Sequence, residues 1–146
     1  MSPDQPIHVL LVEDNETDIQ IMLGAFDKSK IALSVNSVCD GEDALKYLQH
    51  EFPYKDKNTY LDPDIILLDV DTPRMDGHAF VQKVRSLKNA QDIPIIIVTN
   101  KEDYQFRLEG VNDYVTKSLD GMNVLKKIEE IMSFKKEFFT NNEADS

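Results

Sequence analysis

Short runs of apolar residues recur along the chain, and between them the apolar positions fall into helical spacing. Ile7–Val12 is an apolar run interrupted by His8 and closed by Glu13 and Asp14, the pattern of a strand buried on both faces. Ile19, Met22, Leu23 and Phe26 follow at i, i+3, i+4 and i+7, which places them on one stripe of a helix. Leu33–Val38 is a weaker strand. Ala44, Leu45 and Leu48 mark a helix beginning near Asp40, whose carboxylate is placed to cap it. Ile65–Leu68 is a third strand, followed by the turn formers Pro73 and Gly77 and a stripe of Phe80, Val84 and Leu87. Ile95–Val98 and Asp113–Thr116 supply two more strands, and the last helix carries Val124, Leu125, Ile128, Ile131 and Met132.

Strands separated by helical stretches predict an α/β protein with a doubly wound, five-stranded parallel sheet and helices on both faces, because each crossover must pack its helix on the sheet. Residues 51–63 break the alternation and read as a long surface loop. The segment from Thr99 to Gly110 is short for a helix with its connecting loop. With 146 residues there is room for one folded unit, taken as 7–139 between a tail at 1–6 and a polar tail at 140–146.

Charge and composition narrow the chemistry. A formal net charge of −11 disfavours direct contact with nucleic acid or anionic lipid. A single cysteine, Cys39, allows no internal disulfide or cysteine-rich zinc site, and reads as a small core residue. His8, His50 and His78 lack ligand spacing and read as structural or exposed. No apolar run approaches the roughly 20 residues that span a bilayer, and no secretory signal opens the chain. The expected setting is cytoplasmic.

The unusual polar residues fall at the carboxyl ends of the strands, where an open parallel sheet places its ligand crevice. Glu13 and Asp14 follow the first strand, Asp69 the third, Thr99 the fourth and Lys117 the fifth. Carboxylates gathered there repel one another by roughly 1 kcal/mol per pair at 4 Å in water and about 4 at an effective dielectric of 20. Lys117 offsets part of that, and Mg2+, bound by oxygens alone, suits the remainder. Such a set can handle a phosphoryl group: Asp69 as nucleophile, Lys117 and the metal neutralising its oxygens, and Thr99 donating a hydrogen bond.

In these residues the chain resembles the receiver domains of two-component response regulators. The matching stretches are the acidic pair of LLVEDN, the run IILLDVDTPRMDG around Asp69, the threonine of IIIVTN and NDYVTK ending in Lys117. The resemblance implies the strand order 2-1-3-4-5 and a phosphoryl group accepted by Asp69 from a histidine kinase or phosphotransfer protein. It also implies a Mg2+ site of Glu13, Asp14, Asp69 and the backbone carbonyl of Asp71. By the same resemblance Thr99 and Lys117 sense the phosphate, and Tyr114 turns inward as the switch. Receivers similar to the partners of bacterial phytochromes share Lys-Ser at 117–118 and a long loop before the third strand.

Other positions depart from that pattern. Ser118 stands where proline is usual after the lysine, in a bond usually cis; a non-proline cis bond costs about 2.5–4 kcal/mol, so either that strain stays or the loop changes. Asn100 replaces a small residue. Asp71, with Asn100 and Lys101 nearby in sequence, is a candidate modulator of acyl-phosphate hydrolysis, by orienting or deprotonating water; the plainer reading of Asp71 and Lys101 is a surface ion pair. A rival reading treats Asp69-Val70-Asp71-Thr72 as resembling the DxDxT signature of Mg-dependent haloacid-dehalogenase-type phosphatases. Its chain order is wrong, since there the acidic pair comes last, and Pro73 occupies a motif position. The expectation is therefore a stand-alone signalling receiver, not a turnover enzyme, that switches binding to a partner protein. Phe134, Phe138 and Phe139 offer either core contacts or an apolar face for a symmetric homodimer through the last helices.

Overall fold

The computed structural model describes residues 5–71, 76–100 and 109–145, with side chains to Ser133. Five strands form one parallel sheet: β1 (Ile7–Val12), β2 (Leu33–Val38), β3 (Ile65–Asp69), β4 (Ile95–Thr99) and β5 (Asp113–Thr116). Their order is β2-β1-β3-β4-β5, as expected for the doubly wound class. The described helices are α1 (Glu16–Phe26), α2 (Gly41–Leu48), α3 (Gly77–Ser86) and α4 (Met122–Asp145). A further helix between β4 and β5, which the alternation implies, would fall at 101–108, outside the described residues.

The pleat decides which face each side chain enters. Val9, Leu11, Leu67, Ile96 and Val98 point to one layer, where Met22 and Phe26 of α1 meet Leu125 and Ile128 of α4. Leu10, Val12, Leu68, Ile95 and Ile97 point to the other, against Ala44 and Leu48 of α2 and Phe80 and Val84 of α3. β1, β3 and β4 are therefore apolar on both faces. β2 lies at an edge and is only partly buried, which explains its weaker pattern.

Local chemistry sets where the helices begin. Asn15, Asp40 and Asp76 each accept a backbone N–H from the residue three positions on, capping α1, α2 and α3. α4 continues to Asp145, so helical backbone enters the polar segment read as a tail. Cys39 is exposed rather than in the core: it follows the end of β2, in the turn leading to the Asp40 cap, where no layer covers it. The long loop folds back over α2, and Tyr47, Tyr54 and Tyr60 pack in tilted and edge-to-face pairs with ring centroids 5.1–5.8 Å apart. His50 pairs with Asp62 at 3.0 Å, His78 is exposed, and the backbone N–H of His8 donates to Asp64.

Arg85 of α3 holds the far edge of the sheet. Its guanidinium donates to the carbonyls of Ala90, Gln91, Ile93 and Gly110 and to Asn112 Oδ1, at 2.7–3.1 Å. Asn112 Oδ1 in turn accepts the N–H of Ile95, the first residue of β4. Gly110 has φ +90°, a conformation that favours glycine, and lies close enough that an added Cβ would sit 3.0 Å from Val81.

Candidate functional site

The chain leaves β1 towards β2 on one side and β3 lies on the other, so the switch in strand order falls between β1 and β3. Val12 lies beside Leu68 and Asp69 beside Val98 in the ladders. That register brings Glu13, just past β1, next to Asp69 at the end of β3. Thr99 and Thr116 are paired, and the Lys117 N–H donates to the Thr99 carbonyl at 2.8 Å, extending the β4·β5 ladder by one residue. The strand ends thus deliver the acids, the hydroxyl and the lysine to one crevice.

A cavity of 330 Å³ opens there, lined by Glu13, Asp14, Asn15, Asp18, Asp69, Asp71, Asn100 and Lys117. Glu13, Asp69 and Thr99 are each only 2% exposed, the three buried polar side chains among the described residues. The Lys117 ammonium lies 2.5 Å from Asp69 Oδ2, 2.9 Å from Asp18 Oδ2 and 3.2 Å from Glu13 Oε2. Burial pushes the Glu13 carboxyl up, and the neighbouring Asp69 adds to it, to about 8. Burial alone would lower the Lys117 ammonium, but its hydrogen bonds to Asp69 and Asp18 outweigh burial and hold it above the ordinary lysine value. The site therefore gathers more buried carboxyl groups than one lysine holds ionised at neutral pH.

The other oxygen of Asp69 accepts the backbone N–H of Asp71 at 2.8 Å. The Asp71 carboxylate turns away towards β4, accepting the Thr99 hydroxyl at 3.0 Å and the Asn100 N–H at 2.5 Å. Tyr114, paired with Ile97 in the ladder, is half-buried in the layer of α2 and α3. The Lys117–Ser118 bond is trans, and among the described residues only Phe52–Pro53 is cis. In this loop the Ser118 hydroxyl accepts the Asn123 N–H, and Gly121, at φ +75°, leads into α4.

Of the sequence-predicted residues, Lys117 meets Glu13 and Asp69 directly, and Thr99 is joined to them through Asp71, which accepts its hydroxyl. Asp14 lines the cavity but is exposed, and the carboxylates whose oxygens lie within 4.8 Å of one another among the described residues are Glu13, Asp18 and Asp69. Lys101 and the 72–75 segment lie outside the described residues, so an ion pair between Asp71 and Lys101 does too. Asp18 was missed by sequence reasoning. Its signal was its place three residues beyond the Asn15 cap, because side chains in a first turn lean back towards the helix start and so towards the strand ends.

The donors are carboxylate oxygens, two of the three clustered acids are buried, and there is room beside them. This set fits a hard divalent cation. Among the described residues no helix is long and apolar enough to cross a membrane.

Comparison with known proteins gives a consistent result. The response regulator receiver domain family matches residues 9–129. The response regulator Rcp1 of Synechocystis is 30% identical over 133 residues, covering 88% of each chain. The crystal structure of the phosphorylated cyanobacterial phytochrome response regulator RcpA superposes with a TM-score of 0.73 at 30% identity, over 86% of this chain and 93% of that one. The Mn(2+)-bound form of Rcp1 gives 0.70 at 27% identity, over 85% and 92%. Nothing in these comparisons supports the phosphatase reading.

Proposed function

The chain belongs to the response regulator receiver domain family of two-component phosphorelay proteins, and on that premise we propose that Asp69 is its phosphoacceptor, charged by a histidine kinase or phosphotransfer protein. The observation that carries this reading is the Lys117 ammonium seated on a buried Asp69 carboxylate at the switch point of the sheet.

In the proposed reaction one oxygen of Asp69 attacks phosphorus, the P–N bond of a phosphohistidine breaks, and its electron pair stays on the imidazole nitrogen. Lys117 reaches both the attacking carboxylate and the oxygens of the arriving group. The Asp71 N–H holds Asp69 Oδ1 and so fixes the carboxylate plane. Thr99 gives the phosphoryl group a hydrogen bond only after its hydroxyl leaves Asp71. Glu13, Asp14, Asp69 and the Asp71 carbonyl would hold Mg2+, which when bound supplies two positive charges against the phosphoryl oxygens. The Mn(2+)-bound form of Rcp1, a relative, supports a divalent site of this kind.

Tyr114, neighbouring the threonine strand, is proposed as the element that registers the change and alters binding to a downstream protein. Asp71, with Asn100 and Lys101, is proposed to govern how long the acyl phosphate lasts. The proposed setting is the cytoplasm, without direct contact to nucleic acid or membrane. A homodimer through the last helices remains a proposal from Phe134, Phe138 and Phe139 in the sequence; a monomeric elution at high concentration, phosphorylated or not, removes it.

The test is incubation with acetyl phosphate and Mg2+ followed by intact-mass measurement. Wild type should gain one phosphoryl group and Asp69→Asn none. Equal gain in both, or none in wild type, rejects the assignment.

A further inference from the structure

An ammonium group has three N–H donors, and those of Lys117 face three different carboxylates, on Asp69, Asp18 and Glu13. Two of these belong to the proposed chemistry and change during it: Asp69 loses charge on the oxygen that is esterified, and Glu13 would turn to the cation. Asp18 does neither. It sits on the first turn of α1 with its backbone N–H on the Asn15 cap, and its side chain is 32% exposed against 1% for Glu13 and 2% for Asp69.

A constant negative charge 2.9 Å from Lys117 has two consequences of opposite sign. It cancels much of the ammonium's field in the cavity, so that a dication can approach Glu13 and Asp69 without facing an uncompensated positive neighbour. It also repels a phosphoryl group on Asp69 and keeps one N–H that the phosphoryl oxygens would otherwise receive. An acid in the first turn of a helix serves the helix dipole in any case, but that role alone changes stability and moves neither affinity selectively.

Building on the phosphoacceptor reading, we propose that Asp18 is a positioning residue that shares Lys117 with the reaction site, raising affinity for the divalent cation and lowering affinity for the phosphoryl group. The side chain acts through Lys117 and need not touch either ligand.

The experiment compares the full chain with Asp18→Asn and Asp18→Glu. Mn2+ affinity is measured by titration calorimetry, and beryllium fluoride affinity is then measured with each protein saturated in Mg2+. Asp18→Asn should bind Mn2+ about fivefold more weakly and beryllium fluoride about fivefold more tightly, the upper range for one partly exposed ion pair. Asp18→Glu, which keeps the charge, should stay within about twofold of wild type on both counts, well inside that range. Any outcome for Asp18→Asn other than opposite shifts overturns the proposal, including equal weakening of both ligands by a damaged fold. A wild-type chain that takes up neither Mn2+ nor beryllium fluoride overturns the phosphoacceptor reading and this one with it, and the wild-type arm tells the two failures apart.

Discussion

The Thr99 hydroxyl donates to the carboxylate of Asp71 at 3.0 Å, across the gap between the ends of two neighbouring strands. A hydroxyl has one proton to donate, so this bond and a bond from Thr99 to a phosphoryl oxygen exclude one another. The same Asp71 carboxylate also accepts the Asn100 N–H. In the proposed reaction the phosphoryl group gains the Thr99 hydroxyl only as Asp71 gives it up.

Asp71→Asn should keep the backbone bond to Asp69 while weakening the hold on Thr99. Its phosphorylated form should last about tenfold longer than wild type, short of the roughly hundredfold or more of a dedicated general base, because both Asp71 oxygens already accept hydrogen bonds. Loss of label after removal of the phosphodonor measures this; an unchanged lifetime excludes Asp71 from hydrolysis.

Cation uptake should release a proton. With Glu13 raised to about 8 by burial and Asp69, much of the metal-free protein is protonated there at neutral pH, and a carboxylic acid must ionise before it can bind a dication. Mg2+ affinity should therefore climb with pH and level off above about 8, as Glu13 becomes fully ionised. Calorimetry in buffers of different ionisation enthalpy detects the proton.

The same group predicts the pH dependence of stability. Between its ordinary value of 4.5 and about 8 the folded metal-free chain holds a proton that the unfolded chain has lost, so stability falls as pH rises through that window. Glu13→Gln should flatten the slope in urea titrations without metal. A slope that survives the substitution assigns it to another group.

Lys117→Ala removes the positive partner of two buried carboxylates. The metal-free variant should lose about 3 kcal/mol at neutral pH, the lower end of the cost of breaking a buried pair, and less in mild acid, where protonation removes the unpaired charge. Urea unfolding at two pH values checks both parts.

Arg85→Ala would leave four backbone carbonyls and the Asn112 side chain without their present donor. Those facing water will be rehydrated, so the expected loss is about 2 kcal/mol rather than the full sum. Arg85→Lys should recover little of it, because a point ammonium cannot reproduce the planar fork. Thermal unfolding of the two variants should therefore nearly coincide.

The fold was legible because strands buried on both faces leave uninterrupted apolar runs such as Ile95–Val98, and because helices between them keep a stripe such as Met22 and Phe26. The residues that line the crevice at the strand ends were legible because they follow those runs directly. What escaped lies off the strand ends. Asp18 reads in sequence as an ordinary first-turn acid, and only the packing of α1 beside β5's continuation turns it towards Lys117. Arg85 and Asn112 look like solvated surface residues until α3 and the loop before β5 are brought together. Cys39 was misjudged because its usual preference for burial says nothing about a turn at a sheet edge.

Lys117 is a tie rod as much as a reagent. From a position after the last strand it clasps groups that follow the first strand, begin the first helix and end the middle strand. In the proposed reaction, esterifying one oxygen of Asp69 would slacken one of those three clasps, so a change at a single atom would alter the tension between the opening and closing segments of the chain, and any surface built from both would register it.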